Sequence, residues 1–195
     1  MRFYHFARKL VRIYYRIMFR MDIQGEEHIP EEGGVVLCCN HMSNFDPTTM
    51  AAFVKREVRY IAKKELFSNR LSAALMYGLG AFPVDRETTD MKALKTAIKL
   101  LKNGEVLGIF AEGTRVKEGD AQAAKAGVAL FALKGNAPIV PIAISSRYRF
   151  RSMVHIRYGE PIYLDEYQGK KVTTEMMEEI TERVMQKVRE MKVEV

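Results

Sequence analysis

The sequence predicts a single α/β domain, a central mostly parallel or mixed sheet flanked by helices, preceded by an N-terminal amphipathic helix. Three observations lead there. Short apolar runs such as residues 35–39 and 106–111 have strand length and break into polar loops. Between them lie stretches with apolar residues at helical spacing, so strands and helices alternate. At 195 residues, 48% hydrophobic and 28% charged, the chain is long and apolar enough to bury one core without staples, and it is not a disordered segment.

Residues 1–24 carry Arg2, Arg8, Lys9, Arg12, Arg16 and Arg20, with no acid before Asp22. Wound at about 100° per residue, Phe3, Phe6, Leu10, Tyr14, Ile17 and Met21 fall on one face. Arg8, Lys9, Arg12 and Arg16 fall on the other, with Arg2 and Arg20 at its edge. This pattern suits a helix lying in an anionic membrane interface. The competing reading is a helix that packs its apolar face on the domain and leaves its arginines solvated. A bilayer span needs about 20 mainly apolar residues, which the recurring arginines exclude. No uninterrupted apolar core or small-residue cleavage site marks a signal peptide. The net charge of +7 and pI near 9.4 fit an anionic partner.

The α/β domain is expected to occupy residues 25–195. A polar link over 25–34 leads into a buried strand at 35–39, Val-Val-Leu-Cys-Cys. Its two cysteines are adjacent, so they face opposite sides of the sheet and build neither a disulfide nor a metal cluster, as suits a reducing compartment. Asp46-Pro47 reads as a helix start, Asp46 capping and Pro47 in first position, with the helix over 47–56. A strand follows near 58–62, then a helical stretch over 65–78, then a short strand from Gly80 that breaks at Asp85-Arg86. Residues 89–103 form an amphipathic helix, capped by Thr89 or Asp90, with Met91, Leu94, Ile98 and Leu101 as its apolar stripe and a solvated lysine stripe beside it. The strand at 106–111 runs into Glu112-Gly113-Thr114-Arg115, and a small-residue helix follows over 121–135. Residues 137–144 are strand-like, but Pro138 and Pro141 predict irregular or edge-like pairing. A strand at 153–158 and a core-packing helix at 173–192 complete the chain.

The chemistry gathers in loops that follow strands, where α/β sheets place their sites. A histidine with a nearby carboxylate makes a general base, and His41 and Asp46 lie within one short loop. Taken alone, Asp46 could simply cap a helix and His41 be an ordinary loop histidine. Arg86 and Arg115 follow two other strands. If those strands neighbour the first, a base meets two arginines suited to bidentate phosphate recognition, although either alone reads as a surface ion pair.

Four blocks in order resemble the glycerolipid acyltransferase family. Asn40-His41-Met42-Ser43-Asn44-Phe45-Asp46 is similar to its N-H-x-x-x-x-D block. Phe82-Pro83-Val84-Asp85-Arg86 resembles the second, Glu112-Gly113-Thr114-Arg115 the third, and Ala137-Pro138-Ile139-Val140-Pro141-Ile142 the fourth. The set spans residues 35–145. The resemblance implies transfer of a fatty acyl group from acyl-CoA or acyl-carrier protein to the sn-2 hydroxyl of lysophosphatidic acid, giving phosphatidic acid in phospholipid biosynthesis. His41 would be the base and Asp46 its orienting carboxylate, with the helix start or nearby backbone N–H groups at the oxyanion. Arg86 and Arg115 would bind the phosphate, Glu112 would hold Arg115 or a glycerol hydroxyl, Gly113 would admit close backbone approach, and Thr114 completes that block. Pro138 and Pro141 would shape the acyl-donor side. No metal or permanent cofactor is implied, and transfer is direct, without an acyl-Ser43. The family often has serine where Val116 stands. The N-terminus, without the long apolar spans of some relatives, points to a peripheral enzyme at the cytoplasmic face of the cell membrane. Other readings are a related acceptor such as glycerol 3-phosphate, a thioesterase, and a non-catalytic binder of anionic lipid. No nucleic-acid motif accompanies the charge.

Overall fold

The computed structural model describes residues 2–85, 90–110 and 118–195, with the backbone alone over 118–126. In chain order the elements are α1 (Arg2–Met18), β1 (Arg20–Gln24), β2 (Val35–Cys39), α2 (Asp46–Ala52), β3 (Val58–Lys63), α3 (Arg70–Gly78), β4 (Ala81–Val84), α4 (Met91–Lys102), β5 (Val106–Phe110), α5 (Glu118–Gly135), β6 (Ile139–Ser146), β7 (Met153–Tyr158) and α6 (Thr174–Glu190). Seven strands form one sheet in the order β1-β7-β6-β2-β5-β3-β4. Among the described strands only β6 and β7 pair antiparallel, so the sheet is mixed but mostly parallel.

The unbroken apolar run of β2 follows from its place between β6 and β5, covered on both faces. Alternate residues feed two cores. Val36 and Cys38 pack with Ala97 of α4, Val128 of α5 and Val184 of α6. Val35, Leu37 and Cys39 pack with Met50 of α2 and with Tyr15 and Phe19 of the N-terminal segment. The cysteines therefore face opposite layers, as their adjacency dictates. Gly108 on β5 lets α2 come close, since a Cβ there would stand 2.5 Å from the Met50 Cε.

Three expectations change. The helix expected to fill residues 1–24 ends at Met18, and Arg20–Gln24 is a strand paired with β7. Met21 thus belongs to the sheet and not to the helix face. The strand expected to be edge-like because of its prolines, β6, is instead eight residues long, buried throughout and interior. Pro138 precedes it. The carbonyl of Pro141 accepts from Gly159 N at 2.8 Å, one residue past the end of β7, so the missing proline N–H falls where that neighbour stops. Gly159 also makes room for the ring: a Cβ there would lie 2.8 Å from Pro141 Cγ. Finally, α2 ends at Ala52, and its N-cap is Phe45 with Asp46 already inside the helix. Asp46 is freed from capping because its side chain turns back on the preceding loop.

Helix α1 divides into three faces. Tyr4 and Tyr15 are buried against the domain, Tyr4 taking the Val58 N–H at 2.9 Å. Beside them, Arg8 Nη1 donates to the carbonyls of Val54 and Lys55 at 2.7 and 2.9 Å, and the Arg12 guanidinium donates to the Ala52 carbonyl. These are carbonyls at and just past the end of α2, which a helix leaves without intrahelical partners. Phe3, Phe6, Leu10, Ile13, Tyr14 and Ile17 point outward, with Phe6 and Ile17 about 60% exposed. Arg2, Lys9 and Arg16, seven residues apart, are exposed about a quarter turn from that apolar stripe. Two of the arginines expected on the basic face of a membrane-interface helix thus anchor the helix to the domain, and the apolar face looks away from it.

Candidate active site

The site begins where β2 runs out. Asn40 is fully buried and continues the β2–β6 ladder with its side chain: Nδ2 donates to the Ile144 carbonyl at 2.9 Å, and Oδ1 accepts from Ile144 N at 2.8 Å. This pair of hydrogen bonds fixes the backbone that carries His41. The chain then turns tightly, and Asp46 folds back so that its Oδ2 accepts from the N–H groups of Met42 and Ser43, both at 2.6 Å, and from His41 Nδ1 at 3.0 Å. Its other oxygen, Oδ1, accepts the hydroxyl of Tyr148 at 2.8 Å. Asp46 is fully buried, whereas the His41 side chain keeps 27% of its surface exposed. The imidazole lies against the ring of Phe110, the last residue of β5, with centroids 4.5 Å apart.

The arrangement dictates a tautomer. A carboxylate only accepts, so Nδ1 carries the proton and Nε2, across the ring, is the basic nitrogen. The amides of Met42 and Ser43 serve Asp46, which commits the two nearest backbone donors to the carboxylate and away from an oxyanion. Ser43 Oγ accepts from Phe45 N at 3.3 Å.

An almost wholly apolar cleft of about 430 Å³ opens beside the dyad. Phe110, whose ring lies on His41, and Asn44 line it, with Pro47 and Ala51 of the α2 segment, Tyr60 and Ile61 of β3, Leu66 and Met76, and the Tyr4–Val11 side of α1. The volume falls within the range of about 300–1,000 Å³ usual for small-ligand sites.

His41 and Asp46 are therefore brought together as expected. Arg86, Glu112, Gly113, Thr114 and Arg115 lie outside the described residues. The strands that lead toward them, β4 and β5, run parallel to β2 and end at the same sheet edge as His41. Pro138 and Pro141 are not brought to His41. Pro141 pairs with Cys38, and the Pro138 carbonyl accepts from Val36 N, five residues before His41 and roughly 15 Å along the strand. The apolar space adjoining the dyad is built by α1, α2, β3 and α3 instead. Phe110 and Tyr148 were not singled out by the sequence, and Asn40 entered only as the first residue of its block, without a role. Asn40 had a signal, a buried amide at the end of an apolar strand; Tyr148, 102 residues from Asp46, had none. Among the described residues no group of three or more His, Cys, Asp or Glu side chains is placed to hold a metal ion.

A His–Asp dyad at the carboxyl end of the central strand, beside an apolar cleft, fits an acyl-transfer enzyme, and the comparisons agree. Residues 20–145 match the family described as Acyltransferase, and the chain belongs to that family. It is an O-acyltransferase. A 1-acyl-sn-glycerol-3-phosphate acyltransferase of Bacillus subtilis is 31% identical, with 96% of each chain covered. One from Streptococcus pneumoniae is 29% identical over 93% of this chain and 70% of its own. The crystal structure of the 1-acyl-sn-glycerophosphate (LPA) acyltransferase PlsC from Thermotoga maritima superimposes with a TM-score of 0.72 at 25% identity, covering 96% of this chain and 79% of that one.

Proposed function

We propose that this protein transfers a fatty acyl group from an acyl thioester, acyl-CoA or acyl-carrier protein, to the sn-2 hydroxyl of lysophosphatidic acid, forming phosphatidic acid at a membrane surface. The observation that carries this reading is the buried Asp46 fixing His41 beside an apolar cleft. The names of the relatives support the acceptor.

In this reaction His41 Nε2 takes the proton of the acceptor hydroxyl as its oxygen attacks the thioester carbonyl. Asp46 stabilises the imidazolium that forms. The tetrahedral intermediate then expels the thiolate, and the imidazolium returns the proton to sulfur. The acyl chain lies in the cleft behind Phe110. Arg86 and Arg115 bind the acceptor phosphate, with Glu112, Gly113 and Thr114 shaping that site. No cofactor or metal takes part.

The outward apolar stripe of α1, bordered by Arg2, Lys9 and Arg16, supports docking on an anionic leaflet, where the acceptor resides. No described helix is long and apolar enough to cross a membrane. The test is thiol release from palmitoyl-CoA, and from palmitoyl-acyl-carrier protein, on vesicles with and without lysophosphatidic acid. Acceptor-dependent release with phosphatidic acid as product is expected. Release that ignores the acceptor would make the protein a thioesterase and overturn the proposal; preference for glycerol 3-phosphate would overturn its acceptor.

A further inference from the structure

Asp46 is held on both oxygens, and the His41 loop supplies the donors for only one of them. Oδ2 receives Met42 N, Ser43 N and His41 Nδ1. Oδ1 receives the phenol of Tyr148, which arrives from the turn between β6 and β7. We propose that Tyr148 is a positioning residue for acyl transfer, holding the second oxygen of Asp46 so that the first meets His41 Nδ1 in one orientation. This rests on the reading of His41 as the base.

The terminal torsion of an aspartate is broad, so bonds to one oxygen leave the carboxylate plane free to tilt. A donor on the second oxygen removes that freedom. In a fully buried residue it also removes an acceptor that would otherwise lie unsatisfied. The phenol remains a donor because burial, and then the negative charge of Asp46, both push its pKa up.

Tyr148 is itself held in place from several sides. Its backbone sits at φ +48°, a left-handed conformation that a bulky residue keeps only where its surroundings enforce it. Its N–H donates to Ser146 Oγ at 2.9 Å, and its ring packs on Phe45 and Phe19, with centroids 5.2 and 5.7 Å away. The Thr49 hydroxyl lies 3.0 Å from its oxygen. A side chain that only filled space would need none of these polar restraints.

Tyr148→Phe keeps the ring and deletes the donor. In the vesicle assay kcat should fall about ten-fold, the scale of one hydrogen bond to a charged group, with KM for lysophosphatidic acid little changed. The second readout needs no substrate: the titration of His41 followed by NMR in histidine-labelled protein. Its midpoint should rise in Tyr148→Phe, because the carboxylate charge is no longer shared with the phenol. An unchanged midpoint in Tyr148→Phe overturns the proposal, even if activity falls. A shifted midpoint in a protein that makes no phosphatidic acid would uphold the hold on the dyad and reject the assigned reaction.

Discussion

Among the described residues each of the four histidines pairs with a carboxylate, and two of them, His41 and His155, do so through Nδ1 to an aspartate, yet only one of these two has the surroundings of a base. His41 Nδ1 lies 3.0 Å from Asp46, and His155 Nδ1 lies 2.7 Å from Asp22. Asp46 is fully buried, and among the described residues its other partners are backbone amides and a phenol, with no arginine or lysine. Its charge is thus available to a developing imidazolium. Asp22 sits on the edge strand β1 and also takes the Arg157 guanidinium, whose bond to the carboxylate is the first cause holding its pKa at about 2. That permanent cation neutralises the carboxylate before His155 can use it. The pair ties β1 to β7, and no cleft adjoins it among those described. Distance alone does not make a base; the other partners of the carboxylate and the space beside the ring decide.

The largest effect should separate the two pairs outright. His41→Ala is expected to lower kcat by about 10³-fold, within the range of general-base catalysis, and His155→Ala to leave it within about two-fold. Initial rates on vesicles check both. Access can be separated from chemistry in turn. Phe6→Glu with Ile17→Glu removes two outward apolar side chains, and vesicle partitioning should fall at least about ten-fold. The His41 titration should stay where it is, so this variant would resemble neither histidine variant. On the same helix, Arg8→Ala should cost about 1–2 kcal/mol in urea unfolding through the lost bonds to the Val54 and Lys55 carbonyls, whereas Arg16→Ala should weaken only vesicle binding.

The smallest effect concerns the edge pair. A carboxyl held at about 2 against an ordinary 3.8 stabilises the fold at pH above about 4, and that contribution is lost as pH falls toward 2. Asp22→Asn should therefore cost on the order of 1 kcal/mol at neutral pH, allowing for solvent screening, and nothing near pH 2. Denaturant unfolding at the two pH values would show it; an equal loss at both would mean that packing, not charge, joins β1 to β7.

Much of this was legible because it is local. The alternation of apolar runs located β2 to β5, β7 and all six helices, and the tight spacing of His41 and Asp46 let one turn join them. The misreadings came where neighbours across the sheet decide. Arg20–Gln24 alternates polar and apolar residues, but it continues a helical pattern, and only β7 reveals it as a strand. The prolines of β6 argued for an edge until Gly159 and the end of β7 showed how an interior strand accommodates them. Asp46 looked like a helix cap, since Asp-Pro is the usual cap signature, yet its oxygens serve the loop behind it. Tyr148 reaches Asp46 only through the folded β6–β7 turn, so nothing near it in sequence could announce the contact.

The central claim is that His41, and not its look-alike, is the base of an acceptor-dependent transfer. The most direct measurement sets wild type, His41→Ala and His155→Ala side by side on vesicles holding lysophosphatidic acid and palmitoyl-CoA, with phosphatidic acid quantified by mass spectrometry. Wild type and His155→Ala should form it at similar rates and His41→Ala at about a thousandth of them. Formation by His41→Ala at the wild-type rate would contradict the account.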